Sequence, residues 1–199
     1  YKSEEIAELA IMLVEGKYKT AVLDTAGGLQ DLILKEVLGL EDVPVQRTWG
    51  MAERGDWMTC GAQWKERVRV VLDMADKQGL NVVVVAHERN FGEEGAGDVM
   101  VQSVGSALTP TVAAWLNGAC DYVCQAFIRQ REEVKEVKIG GKVQKTKKLT
   151  NKVDYCLRVG AHPVYLTGFR IPYGAILPDV VVDPSYDKIA SIIKGDWKE

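Results

Sequence analysis

Two apolar runs in this chain end in residues that can do chemistry. "TAVLD" closes on Asp24-Thr25, and "NVVVVAHE" closes on His87-Glu88. In open α/β sheets ligands bind outside the carboxyl ends of the strands, so both pairs are expected along one sheet edge. An aspartate there can hold a water bound to Mg²⁺, and a neighbouring threonine hydroxyl can bond the metal's shell or a phosphate. That is a Walker B type of arrangement. A polar residue such as His87 on the adjacent strand can then sense a terminal phosphate or orient an attacking water. The plainer readings are that Asp24 caps the helix after a Gly27-Gly28 turn, and that His87 is a satisfied structural histidine.

The elements that must position these residues follow from periodicity. Ile6, Leu9, Ala10, Leu13 and Val14 recur at helical spacing, with Gly16 as a stop. Residues 20–24 read as a strand, and a helix returns at Leu29, Leu32, Ile33 and Val37. A long loop holds "RTWGMAERGDW" (47–57), and a further helix covers 62–78, ended by Gly79. Residues 81–88 form the most strongly β-branched run. Apolar strands separated by amphipathic helices predict a mainly parallel central sheet flanked by helices. A Gly- and Glu-rich loop (92–98) and a helix with Pro110 in its first turn come next. The pattern then turns antiparallel, with a strand at 120–130 and a hairpin turn at Gly140-Gly141.

That hairpin is basic. Residues 129–152 hold nine Lys/Arg against three Glu, in a chain whose formal net charge is −3. Lys142, Lys145, Lys147 and Lys148 are its candidate nucleic-acid contacts, suited to the phosphates of a single strand. The bland reading is an exposed ribbon kept soluble by lysines. Phe127 and Tyr155 only flank the basic run, so backbone tracking is expected rather than base stacking. Trp49, Trp57 and Trp64 could line a nucleotide or DNA edge, but packing is the commoner fate of tryptophan, and His162 carries no functional signal.

At 199 residues, 47% hydrophobic and 27% charged, the composition is that of an ordinary globular domain. No apolar run is long enough to span a membrane, and the first nineteen residues lack the pattern of a signal peptide. Cys60, Cys120, Cys124 and Cys156 make no C-x-x-C pair and, with two histidines, do not suggest a zinc site. Reduced thiols in a cytoplasmic protein are the expectation.

Taken together, "VLDTAGGLQDLILKEVLG", "GLNVVVVAHE", "GSALTPTVAAWLNGACDYVCQAFIR", "TGFR" and "LPDVVVDPSYDKI" resemble the phage-type nucleotide-binding proteins of the RecA-like ATPase class, which accompany single-strand annealing proteins in recombination. The resemblance runs from about Ile6 to Lys194. It implies one RecA-like α/β domain over 1–199 with the 129–152 hairpin as an extension, ATP and Mg²⁺ as cofactors, single-stranded DNA as partner, and a homo-oligomeric ring or filament. The resemblance makes Asp24 the Mg²⁺-associated carboxylate, His87 the sensor, Thr25 a nucleotide contact, and Arg170 a basic residue that reaches a neighbouring subunit's nucleotide; the plainer reading of Arg170 is a surface arginine or a structural ion pair. The family's G-x-x-x-x-G-K-[ST] loop is not found in residues 1–199. Because the sequence starts at Tyr1 in the helix before the Asp24 strand, that loop is expected upstream. An ATPase follows if it is there, and a non-catalytic nucleic-acid-binding or assembly module if it is not. A third reading, a metal-dependent hydrolase built on Asp24 and His87, needs further ligands.

Overall fold

Alternating strand and helix signals in the first ninety residues resolve into a small α/β unit, and the later β-rich signals into a second unit. The computed structural model describes residues 5–16, 18–42, 49–94, 100–139 and 142–198. Side chains are described for all of these except 6, 7, 9, 10, 14, 49, 92–94, 100–102, 133–139 and 142–149. The first unit comprises Tyr1–Phe91 and Gly105–Ala119, the second Gly92–Val104 and Cys120–Glu199.

In the first unit, α1 (Glu5–Glu15) leads to β1 (Thr20–Asp24), α2 (Ala26–Val37), a 3₁₀ turn at Trp49–Met51, α3 (Arg54–Gln78) and β2 (Asn81–Val85). β1 and β2 pair in parallel, from Thr20 opposite Asn81 to Asp24 opposite Val85. The helical crossover between them is what a parallel pair requires. α3 begins eight residues earlier than its apolar pattern suggests, because Asp56 in its first turn accepts the Glu53 N–H at 2.8 Å. It ends at Gly79, whose φ of 63° lies in the left-handed region that glycine adopts without a steric penalty. Further on, β3 (Glu88–Glu94) and β4 (Met100–Ser106) pair, and α4 (Pro110–Ala119) follows. The Gly/Glu-rich stretch read as a loop therefore carries strand as far as Glu94. Its residues 95–99 lie outside the described ones.

The core of this unit is helical. Ala26, Leu29, Ile33 and Leu34 of α2 are buried, as are Cys60, Trp64, Val68 and Ala75 of α3 and Val112 and Leu116 of α4. Trp64 meets Trp115 edge-on at 6.1 Å, confirming packing as the role of that tryptophan. The sheet is smaller than its sequence implies. Among the described residues the parallel ladder has two strands, rather than forming a mainly parallel central sheet. Exposure alternates along both strands, leaving Val22, Val83 and Val85 at 62%, 46% and 40%.

The second unit is organised by a long antiparallel ribbon. β5 (Tyr122–Val123) pairs with β8 (Gly168–Phe169), and β6 (Gln125–Ile139) pairs with β7 (Lys142–Arg158) along its whole length. β9 (Val180–Val182) adds to the base of β7, and α5 (Tyr186–Lys194) closes the chain. The ribbon extends beyond the expected 129–152 at both ends, with a register shift between Gln130 and Glu132. Gly140 and Gly141, read as its turn, lie outside the described residues, although Ile139 and Lys142 on either side are paired. Val159, Val181 and Ile192 are the core, with Leu157, Phe169, Leu177, Ile189 and Trp197 against them. All four cysteines are free thiols. Cys120 and Cys124 lie in the irregular segments on either side of β5, so the strand expected over 120–130 is broken there.

Candidate functional site

β1 delivers Asp24 to its carboxyl end, and β2 ends level with it, at Val85 directly opposite Asp24. His87 follows two residues later, so Asp24, Thr25 and His87 emerge at the same edge of the parallel pair. Strand alternation puts Asp24 on the face of Val22, Val83 and Val85. Its carboxylate is exposed, and among the described residues it takes part in no hydrogen bond or ion pair.

The helix cap belongs to the next residue. Thr25 is extended, at φ −120° and ψ 158°, and its Oγ1 accepts the Gly28 N–H at 3.0 Å. The Thr25 carbonyl accepts from Leu29 N at 3.1 Å, which starts the helical ladder. Gly27 and Gly28 are thus the first turn of α2, not a turn preceding it. The cap satisfies one of the donors that a helix N-terminus leaves open. It also leaves Asp24 uncommitted, and the Thr25 hydroxyl keeps its own proton to donate. The Asp24–Thr25 peptide bond is cis.

His87 is exposed, and its ring makes no hydrogen bond among the described residues. Its carbonyl accepts the Ala107 N–H at 2.7 Å, which ties the end of β2 to the segment entering α4. Two buried side chains brace the same edge. Trp64 Nε1 donates to the Ala26 carbonyl at 3.1 Å. Gln30 Oε1 accepts both the backbone N–H of Thr109 at 3.0 Å and its hydroxyl at 3.3 Å, anchoring the start of α4 to α2. Sequence reasoning missed Gln30, whose signal was a polar residue set between Leu29 and Ile33 on the buried stripe. It also missed Thr109, a threonine directly before Pro110 at a helix start.

The remaining candidates belong to the second unit. Arg170 holds an exposed ion pair with Asp121 at 2.8 Å, and its backbone N–H donates to the Asp121 carbonyl at 2.9 Å. Lys142, Lys145, Lys147 and Lys148 are on β7, where their side chains are outside the described ones. The register sets Lys145 opposite Glu136, Lys148 opposite Glu133, Lys147 opposite Val134 and Lys142 opposite Ile139. Arg129 and Arg131 are engaged with the buried Asp154, at 3.7 and 2.5 Å.

A lone, solvated carboxylate at a strand end fits Mg²⁺ held mainly by water and substrate phosphates, which is how that ion is usually bound. An all-protein metal cage is a different matter. Among the described residues no three His, Cys, Asp or Glu side chains come together as metal ligands. The further ligands that a hydrolase built on Asp24 and His87 requires are not found there.

The model of the AAA domain family matches residues 6–156, from α1 into β7. The chain belongs to that family, and with it to the P-loop NTPases, the nucleotide-binding ATPase class. No curated protein and no solved structure matches the chain significantly. No helix among the described residues is long and apolar enough to cross a membrane.

Proposed function

We propose that this chain is the Walker B side of a Mg²⁺-dependent ATPase that acts on single-stranded DNA in phage-type recombination or repair. The observation that carries the reading is the uncommitted Asp24 carboxylate beside Thr25, with His87 at the same edge of the parallel pair. Asp24 holds the metal's water shell, Thr25 donates its hydroxyl toward a phosphate, and His87 responds to the terminal phosphate. Bound Mg²⁺ supplies charge neutralisation for phosphoryl transfer to water.

The phosphate-binding loop that such a site needs is not within residues 1–199. The proposed frame of the site is a RecA-like, mainly parallel sheet. Support comes from Val22, Val83 and Val85, which leave an apolar face open on a parallel pair of the kind normally covered on both sides. In a cytoplasmic homo-oligomer, ring or filament, Arg170 exchanges Asp121 for the γ-phosphate of a neighbouring subunit's nucleotide. A single-strand annealing protein is the proposed partner.

The test is phosphate release by the intact protein carrying Asp24→Asn. Mg²⁺-dependent turnover is expected to fall at least about 100-fold, in the range of other single electrostatic contacts to a transition state. The unfolding midpoint should hold, because the carboxylate has no partner to lose. Unchanged turnover removes Asp24 from the mechanism. One observation favours a second reading, a nucleic-acid-binding or assembly module with a degenerate nucleotide site: residues 1–199 contain no G-x-x-x-x-G-K-[ST]. Equilibrium dialysis of ATP against the intact protein separates the two, since only the first reading expects saturable, Mg²⁺-dependent binding.

A further inference from the structure

The base of the β6–β7 ribbon has two different faces. On one, Asp154 is 6% exposed and holds Arg129 and Arg131. Cys156, on the same face by alternation, is 2% exposed. The other face is open over part of its length. Ile128 stands directly opposite Tyr155, and both are 61% exposed. Val153, the next residue along β7 on that face, is 46% exposed and opposite Gln130. Leu157 continues the same row toward β9, but it packs on the core built around Val181 and Ile192. The core beside α5 therefore covers this face at its Leu157 end, and the row of Ile128, Tyr155 and Val153 beyond it is left open.

What covers such a patch is decided by its surroundings. Beyond the register shift between Gln130 and Glu132, the strands that carry it continue into the segment from 132 to 152, which holds seven lysines against three glutamates. The arginines at the base are held by Asp154, so this positive excess comes from lysines, compact charges suited to phosphates. A flat aromatic ring, an apolar neighbour on each side and a polycationic extension form the combination that receives an extended polyanion bearing flat apolar groups. Single-stranded nucleic acid has that chemistry: bases stack on the ring while the backbone follows the basic ribbon.

We propose that Tyr155, flanked by Ile128 and Val153, is a base-stacking platform for single-stranded nucleic acid, continuous with the lysine-bearing part of the ribbon. This rests on the nucleic-acid reading given above and adds to it a site that reads base rather than phosphate. It replaces the expectation of backbone tracking alone, because Tyr155 flanks the basic run in sequence yet shares its ribbon in space.

The experiment is fluorescence anisotropy of the intact protein with two labelled 20-mers, oligo-dT and an abasic strand with the same phosphates, each at several salt concentrations. The platform predicts that oligo-dT binds roughly tenfold tighter than the abasic strand, the scale of one stacked base. Tyr155→Phe keeps that preference. Tyr155→Leu, which retains apolar bulk and so the fold, loses it without changing the salt slope. Replacing Lys145, Lys147 and Lys148 by Gln weakens both strands equally and flattens the slope. Equal wild-type affinity for the two strands, with a steep salt slope, overturns the platform and leaves the lysine reading standing. Absence of binding to either strand overturns both. Binding to anionic phosphatidylserine vesicles that Tyr155→Leu abolishes, with no preference between the strands, assigns the patch to a membrane surface and also overturns the platform.

Discussion

Trp64, fully buried on α3, donates its indole N–H to the carbonyl of Ala26, the first residue of α2, at 3.1 Å. Ala26 directly follows Thr25, so this bond fixes the point where the chain leaves the sheet edge for the helix. Trp64→Phe keeps much of the packing but removes the donor. The expected cost is about 1–2 kcal/mol, one buried hydrogen bond plus a small packing defect. Urea unfolding measures it. A change under about 0.5 kcal/mol would mean that the bond contributes nothing to anchoring α2.

Thr25 separates a structural role from a chemical one. Its Oγ1 caps α2 through Gly28, so Thr25→Val is expected to lose about 1 kcal/mol of stability, and Thr25→Ser to lose little. Asparagine is as good a cap as threonine but lacks a hydroxyl. Thr25→Asn should therefore keep the thermal midpoint while lowering Mg²⁺-nucleotide affinity, if the hydroxyl contacts nucleotide as proposed. Calorimetric unfolding and nucleotide titration of the same variant give the two numbers. Affinity at the wild-type level would restrict Thr25 to capping.

How far this edge was legible from sequence depends on range. Asp24 and His87 were visible because a β-branched apolar run ending in a polar pair is a local signal, and the parallel register of β1 and β2 puts those ends side by side. The start of α3 was not legible: the acidic Glu53 and Asp56 do the work at its first turn, where serine or threonine is the usual mark. Nor was the exposed face of the pair. In "NVVVV" every residue after Asn81 is apolar, which implies cover on both sides, whereas Val83 and Val85 are open to solvent. The roles of Gln30 and Asp154 needed contacts 79 and 23 residues away in sequence, which no periodicity encodes.

Gln30 is buried on α2, and its Oε1 is the acceptor for both the N–H and the hydroxyl of Thr109. Gln30→Leu fills a similar volume but leaves those donors without their partner. A loss of about 1–3 kcal/mol is expected, the cost of stranding part-buried polar groups. Backbone hydrogen exchange at Thr109 and along the first turn of α4 should quicken first, since the bond joins that helix start to α2. Unchanged protection there would show that α4 is held by its apolar face alone.

Cys60 ties stability to alkaline pH. Burial pushes its thiol up to about 11, with the Asp31 carboxylate adding to the rise and Arg67 opposing it. An unfolded cysteine ionises near pH ~8.5. A group whose pKa is raised by folding contributes stability that is fully present below its unfolded pKa and lost as pH climbs through the folded one. Urea midpoints should therefore fall between about pH 8.5 and 11, and Cys60→Ala should flatten that fall while lowering stability throughout. A thiol probe at pH 8 should label Cys60 only as fast as the protein opens. Rapid Cys60 labelling in the folded protein would contradict its burial.

Asp154 offers the least intuitive outcome. It is 6% exposed and gathers Arg131 at 2.5 Å and Arg129 at 3.7 Å, which withdraws two cations from the base of the basic ribbon. The arginine side chains are themselves 43% and 49% exposed, so solvent screens much of the interaction. Asp154→Asn is accordingly expected to cost about 1–3 kcal/mol, less than breaking a fully buried pair. It also removes the anion that holds Arg129 and Arg131 on the face opposite the proposed platform, while Arg131 keeps Asp183 at 3.9 Å. Single-strand binding should then tighten at low salt, and the slope of log K against log salt should steepen by about 1–2. A destabilised protein with greater affinity and a steeper slope would show that Asp154 sets the ribbon's free charge. If stability falls and the slope stays constant, the arginines are held by other contacts, and the nucleic acid meets the lysines alone.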